Sequence, residues 1–135
     1  MVPYPIVNPE GWVAVVDDDA SIRQALARVL AVSGIAARTF GSAEQYLAQA
    51  SSDEPCCLVL DVHLPGRNGF ELRDELKARG IRTPIIFISA LDEKSLIRLS
   101  GCAESPRYLQ KPFDSRAFLA LVRQNVAIET ISKVG

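Results

Sequence analysis

The chain has 135 residues, 48% of them hydrophobic and 23% charged, with a formal net charge of -1. That length suits one domain able to bury a core without disulfide or metal staples, and the near-neutral balance supplies no drive toward nucleic acid or an anionic membrane, so neither is an expected partner. No run approaches the roughly 18 apolar residues that span a bilayer, and the first basic residue is Arg23, behind Pro3, Pro5 and Pro9, which does not fit a secretory signal; the expected location is the cytoplasm.

Residues 1–11 form a Pro-rich lead-in. A first strand follows at about 12–16, then a helix opened by Ser21 with Gln24 three residues on, whose Ile22, Leu26, Val29 and Leu30 share one face and which Gly34 stops. A weak strand, Ile35 to Phe40, leads into a short helix opened by Ser42 and Gln45, and a third strand ends at Asp61. Leu64-Pro65-Gly66-Arg67-Asn68-Gly69 makes a tight loop before a helix with Leu72 and Leu76 inward, Glu75 and Arg79 paired on its surface, and Gly80 as its stop. Pro84 admits the fourth strand at its first residue, where a missing donor is tolerated. Asp92 to Ser100 reads as a short helix of poor periodicity; a brief fifth strand lies near Tyr108-Leu109; Asp114 caps a last helix with Phe118, Leu121, Val122 and Val126 inward. Cys56, Cys57 and Cys102 are odd in number and lack CxxC spacing, so they read as structural thiols.

The runs Trp12 to Val16, Cys56 to Leu60 and Ile85 to Ile88 are continuously apolar rather than alternating, as strands buried on both faces of a parallel sheet are. Strands alternating with amphipathic helices give an α/β doubly wound domain, and right-handed crossovers allow five such units to form a flavodoxin-like sheet of order 2-1-3-4-5 with five flanking helices. Each apolar run ends in a reactive side chain: Asp17-Asp18-Asp19, Asp61, Ser89, and Lys111 after the fifth strand. In an open parallel sheet the ligand crevice lies beyond the carboxyl ends of the strands, so these groups can converge there.

Carboxylates crowded into a poorly solvated crevice disfavour one another's ionisation unless a cation joins them. Mg²⁺ suits such a site, since it takes oxygen ligands and prefers one or two carboxylates completed by a phosphoryl group. The Asp triplet alone would equally suit a helix cap facing water. Asp61 tips the balance, because a strand-end carboxylate beside bound Mg²⁺ can act as a nucleophile and become an aspartyl phosphate, with Lys111 pairing one phosphoryl oxygen and Ser89 donating to another. Alone, Lys111 would pass for a surface lysine and Ser89 for a strand-end hydroxyl that caps the next helix.

In this order and spacing the residues resemble the receiver domain of two-component response regulators, over about 12–128, with a short tail at 129–135. The Pro-Gly-x-Asn-Gly stretch most resembles the branch whose members usually carry a helix-turn-helix output domain. The resemblance implies that Asp61 accepts a phosphoryl group from a sensor histidine kinase or a phosphotransfer protein. It implies that Asp18 contacts Mg²⁺ directly and Asp17 through water, with the His63 carbonyl as a further ligand. Lys111 and Ser89 would grip the phosphoryl group, Lys111-Pro112 would be cis, and Ser89 with Tyr108 would switch the surface of the fourth helix, fifth strand and fifth helix. The protein would then be no enzyme in the ordinary sense, taking part only in its own phosphorylation and dephosphorylation. Tyr108 would otherwise be a half-buried strand aromatic.

Three departures stand out. His63, two positions after Asp61, is titratable and bulky at the mouth of the site, which points to an altered phosphate lifetime, although an exposed His without a role is the plain alternative. Leu91 to Pro106 lacks the small-residue helix usual in that branch, and the few residues after the last helix are too few for a DNA-binding domain, so the expected output is a downstream protein partner. Ile97 and Leu99 offer apolar surface to such a partner or to a second copy of the chain. A haloacid-dehalogenase-type phosphatase would need a second Asp where His63 stands, and three aspartates would repel the phosphate of a flavin mononucleotide. A receiver fold used as a dimerisation or docking module, indifferent to phosphorylation, remains as the alternative.

Overall fold

The structure, a computed structural model, describes residues 11–50, 53–101 and 106–134, with side chains described as far as residue 125. The lead-in before Gly11, Cys102 and the side chain of Val126 lie outside the described residues. Five strands, β1 (Trp12–Val16), β2 (Ala36–Phe40), β3 (Cys57–Asp61), β4 (Ile85–Ser89) and β5 (Tyr108–Gln110), alternate with five helices, α1 (Ala20–Val32), α2 (Ala43–Gln49), α3 (Gly69–Ala78), α4 (Glu93–Ser100) and α5 (Ser115–Val134). All strand pairings are parallel and the sheet order is β2-β1-β3-β4-β5, as the sequence predicts.

Every residue of β1 and β3 is buried, because helices cover both faces of the sheet. On one face Val13, Val15, Cys57, Val59, Ile86 and Ile88 pack against Leu26 and Leu30 of α1 and Phe118 and Val122 of α5. On the other, Ala14, Val16, Leu58 and Leu60 meet Tyr46 of α2, Phe70, Leu72 and Leu76 of α3, and Leu96 of α4. β2 is the exposed edge, pairing only with β1, which is why its sequence signal was weak. Among the described residues no helix is long and apolar enough to cross a membrane.

Two helix boundaries differ from the sequence reading, and β2 and β4 each begin one residue later than expected, at Ala36 and Ile85. α1 is capped by Asp19, whose carboxylate accepts the N–H groups of Ser21 and Ile22, so Ser21 lies inside the helix rather than at its cap. α5 continues to Val134 through residues read as a tail, since no Gly or Pro interrupts it before Gly135. Elsewhere the punctuation is as expected: Ser42 and Asp114 accept helix N–H groups, Gly34 and Gly80 follow α1 and α3 with φ of 77°, and Glu75 pairs with Arg79 at 3.0 Å. α4 is capped by Asp92 and closed by Gly101 at φ 73°.

Candidate functional site

Strand register brings the reactive side chains together. Val16 stands beside Leu60, Asp61 beside Ile88, and Ser89 beside Gln110, so Asp17, Asp61, Ser89 and Lys111 emerge at one edge of the sheet. The chain reverses its direction of winding between β1 and β3, the switch point at which doubly wound sheets bind ligands.

Asp17 is fully buried and Asp61 is 4% exposed, whereas Asp18 is exposed at the mouth. Oxygens of the three carboxylates lie within 4.8 Å of one another. The Lys111 Nζ reaches across the crevice, 3.0 Å from Asp17 Oδ2 and 3.5 Å from Asp61 Oδ2. The Lys111-Pro112 peptide is cis, and the Lys111 N–H donates to the Ser89 carbonyl at 2.7 Å, which ties the fifth strand end to the fourth.

The electrostatics follow from this crowding. Burial, then the charge of Asp17, push the Asp61 carboxyl up to about 6 from 3.8, although the Lys111 ammonium and the His63 N–H, which donates to Oδ1 at 3.2 Å, pull it down. Burial lowers the pKa of Lys111, but its hydrogen bond to Asp17 and the Asp61 and Asp17 charges outweigh that and leave it above its ordinary value. One ammonium therefore serves two buried carboxylates, and Asp18 brings further negative charge. A hard divalent cation answers that deficit: the three carboxylates offer oxygen and no sulfur or imidazole donor, the set that Mg²⁺ takes. Asp17, Asp18 and Asp61 are the side chains that would hold it, and the His63 imidazole, which is exposed, is not among the clustered donors.

Ser89 is fully buried, and its Oγ accepts the Leu91 N–H at 3.0 Å. The hydroxyl thus turns the loop after β4 while Asp92 caps α4, so Ser89 is not that helix's cap. Tyr108 is half-buried at the start of β5; burial and the nearby Glu93 and Asp92 raise its pKa. The loop after β3 is shaped by close approach: a Cβ on Gly69 would stand 2.6 Å from the Asp61 carbonyl oxygen, and Gly66 turns the chain at φ 74°. Asn68 and Glu71 form a reciprocal capping box on α3 that the N-x-x-E spacing could have announced. Arg23 also escaped the sequence reading; its Nη1 donates to the Asp17 carbonyl at 2.6 Å.

The family model of the response regulator receiver domain matches residues 13–123. The transcriptional regulatory protein FixJ of Azorhizobium caulinodans is 35% identical over 114 residues, which are 84% of this chain and 54% of FixJ. The DNA-binding transcriptional regulator NtrC of Salmonella typhimurium is 37% identical over 120 residues, 87% of this chain and 25% of NtrC. The chain thus spans about half or less of these curated relatives. In the crystal structure of a response regulator receiver protein from Burkholderia phymatum, 37% identical, the fold superposes with a TM-score of 0.72 over 87% of this chain and 96% of that one. With the site geometry, these likenesses establish that the chain belongs to the response regulator receiver domain family.

Proposed function

We propose that Asp61 is a phosphoacceptor that receives its phosphoryl group from the phosphohistidine of a sensor kinase or phosphotransfer protein. The observation that carries this reading is the Lys111 ammonium set between the buried Asp17 and Asp61 at the carboxyl ends of the strands. Asp61 attacks through a carboxylate oxygen; the new bond is O–P, the P–N bond to the donor imidazole breaks, and the imidazole nitrogen keeps the electron pair. Bound Mg²⁺ supplies neutralisation of the carboxylate and phosphoryl charges. Lys111 then moves from pairing Asp61 to pairing a phosphoryl oxygen, and its Nζ already lies 3.5 Å from Asp61. The protein takes part in its own phosphorylation and hydrolysis and transforms no separate substrate.

The proposed output runs through Ser89. When its Oγ leaves the Leu91 N–H to donate to the phosphoryl group, the loop between β4 and α4 loses its turn and Tyr108 gains room to move inward. That reshapes the α4, β5 and α5 surface, where Leu99 is 46% exposed, and a downstream protein partner or a second copy reads the change. The phosphodonor approaches the opposite flank, where an apolar groove of about 430 Å³ between α1 and the start of α5 is lined by Ile22, Ala25, Val29, Phe113 and Lys111 itself.

The test is intact mass after incubation with a small-molecule phosphodonor and Mg²⁺, comparing the native chain with Asp61→Asn. One phosphate that needs Mg²⁺, is absent from Asp61→Asn and is labile to hydroxylamine is the expected result. No phosphate on the native chain would overturn the reading in favour of a docking module.

A further inference from the structure

We propose that Arg23 is a positioning residue for the cation site, holding the peptide that carries Asp18; the proposal rests on the reading of Asp17, Asp18 and Asp61 as a Mg²⁺ site. Arg23 lies in the first turns of α1, and its Nη1 donates to the Asp17 carbonyl oxygen at 2.6 Å. Among the described residues the guanidinium makes no ion pair with a carboxylate. Its charge is therefore spent on backbone, and a hydrogen bond from a cation to a carbonyl is stronger than one between neutral groups.

The bonded carbonyl belongs to the peptide plane that joins Asp17 to Asp18. Asp17 is anchored on every other side: its N–H donates to the Phe40 carbonyl at 3.1 Å, Oδ1 accepts the Asp19 N–H at 2.9 Å, and Oδ2 accepts Lys111 at 3.0 Å. The Asp18 carboxylate is exposed and has no hydrogen bond or ion pair among the described residues, so backbone alone aims it. Fixing the plane at the Asp17 carbonyl fixes the direction from which Asp18 projects. Arg23 thus acts on the cation through an oriented peptide, as partners outside the ligand set of a metal commonly do.

The experiment is calorimetric titration of the full chain with Mg²⁺ for native, Arg23→Ala, Arg23→Lys and Asp18→Asn, with metal-free urea unfolding and the Mg²⁺ dependence of phosphorylation by a small-molecule phosphodonor. Arg23→Ala is expected to weaken Mg²⁺ binding about tenfold. The Mg²⁺ needed for half-maximal phosphorylation moves by the same factor, while the rate at saturating Mg²⁺ stays within about twofold of native. Arg23→Lys recovers part of the loss. Should Arg23→Ala fail to fold, Arg23→Gln, which keeps a donor without the charge, carries the same comparison. Native affinity in the Arg23 variants, alongside lost binding in Asp18→Asn, overturns the clamp and leaves the Mg²⁺ site standing. A fall in the saturating rate together with metal-free stability assigns Arg23 to the fold and also overturns it. A native chain that binds no Mg²⁺ overturns the site reading and the clamp with it.

Discussion

Asp61→Asn should stabilise the metal-free protein while abolishing phosphorylation. Asp61 is 4% exposed, and burial and Asp17 raise its carboxyl from 3.8 to about 6 despite Lys111 and the His63 N–H. Between those values the folded chain binds more protons than the unfolded one, so stability falls as pH climbs from 3.8 through about 6, and the full cost stands above that. At about 1.4 kcal/mol per pKa unit this rise is worth about 3 kcal/mol, an upper limit because water reaches the mouth of the crevice. Asn can still accept the His63 N–H, and Lys111 keeps its 3.0 Å bond to Asp17. Urea unfolding in chelator, followed by the fluorescence of Trp12, the single tryptophan and 3% exposed, should show a gain of about 1–3 kcal/mol near neutral pH that shrinks toward zero at about pH 4. Mg²⁺ should narrow the gap by stabilising the native chain more. A native protein as stable as the variant at neutral pH, or a gap that does not close in acid, would refute the argument.

Gly69→Ala sets a Cβ 2.6 Å from the Asp61 carbonyl and 3.0 Å from Val62 Cα, both backbone, so a loss of about 1–3 kcal/mol in urea unfolding is expected; an unchanged midpoint would show that the loop yields freely. The members of the Asp triplet should separate: Asp19→Ala loses the α1 cap and about 1 kcal/mol with little change in Mg²⁺ affinity. Asp18→Ala, by contrast, loses Mg²⁺ affinity with little change in metal-free stability, and calorimetry beside unfolding distinguishes the two. His63→Ala should change the dephosphorylation rate of the phosphorylated chain, because the exposed imidazole stands two residues from Asp61 where water must approach; equal rates would reduce His63 to its backbone bond.

Much of the site was legible because strands buried on both faces run apolar until they leave the sheet, so the first polar residue after each run marks the same edge. Asp17, Asp61 and Ser89 could be read off in that way, whereas Lys111 stands one residue beyond Gln110, the first polar residue of the half-buried β5. The α1 cap could not, since Asp19 and the Ser21-Gln24 pair both satisfy local capping rules. Asp17, held to Phe40 and Lys111, fixes where the chain turns into the helix and leaves Asp19 at the cap. Arg23 was invisible for a different reason: a cation donating to a backbone carbonyl needs no particular residue type as its partner.

Residue order by itself determined the alternation of strands and helices and the line of reactive groups at the strand ends, because hydrophobic periodicity and strand-end chemistry are local; the sheet order it only allowed, through right-handed crossovers. Tertiary structure alone decided that Lys111 bridges Asp17 across 94 residues of chain, that Asp17 is sealed while Asp18 faces water, and that Asp61 resists ionisation. Those properties depend on distance, burial and the sum of neighbouring charges, which exist only once the strands stand side by side.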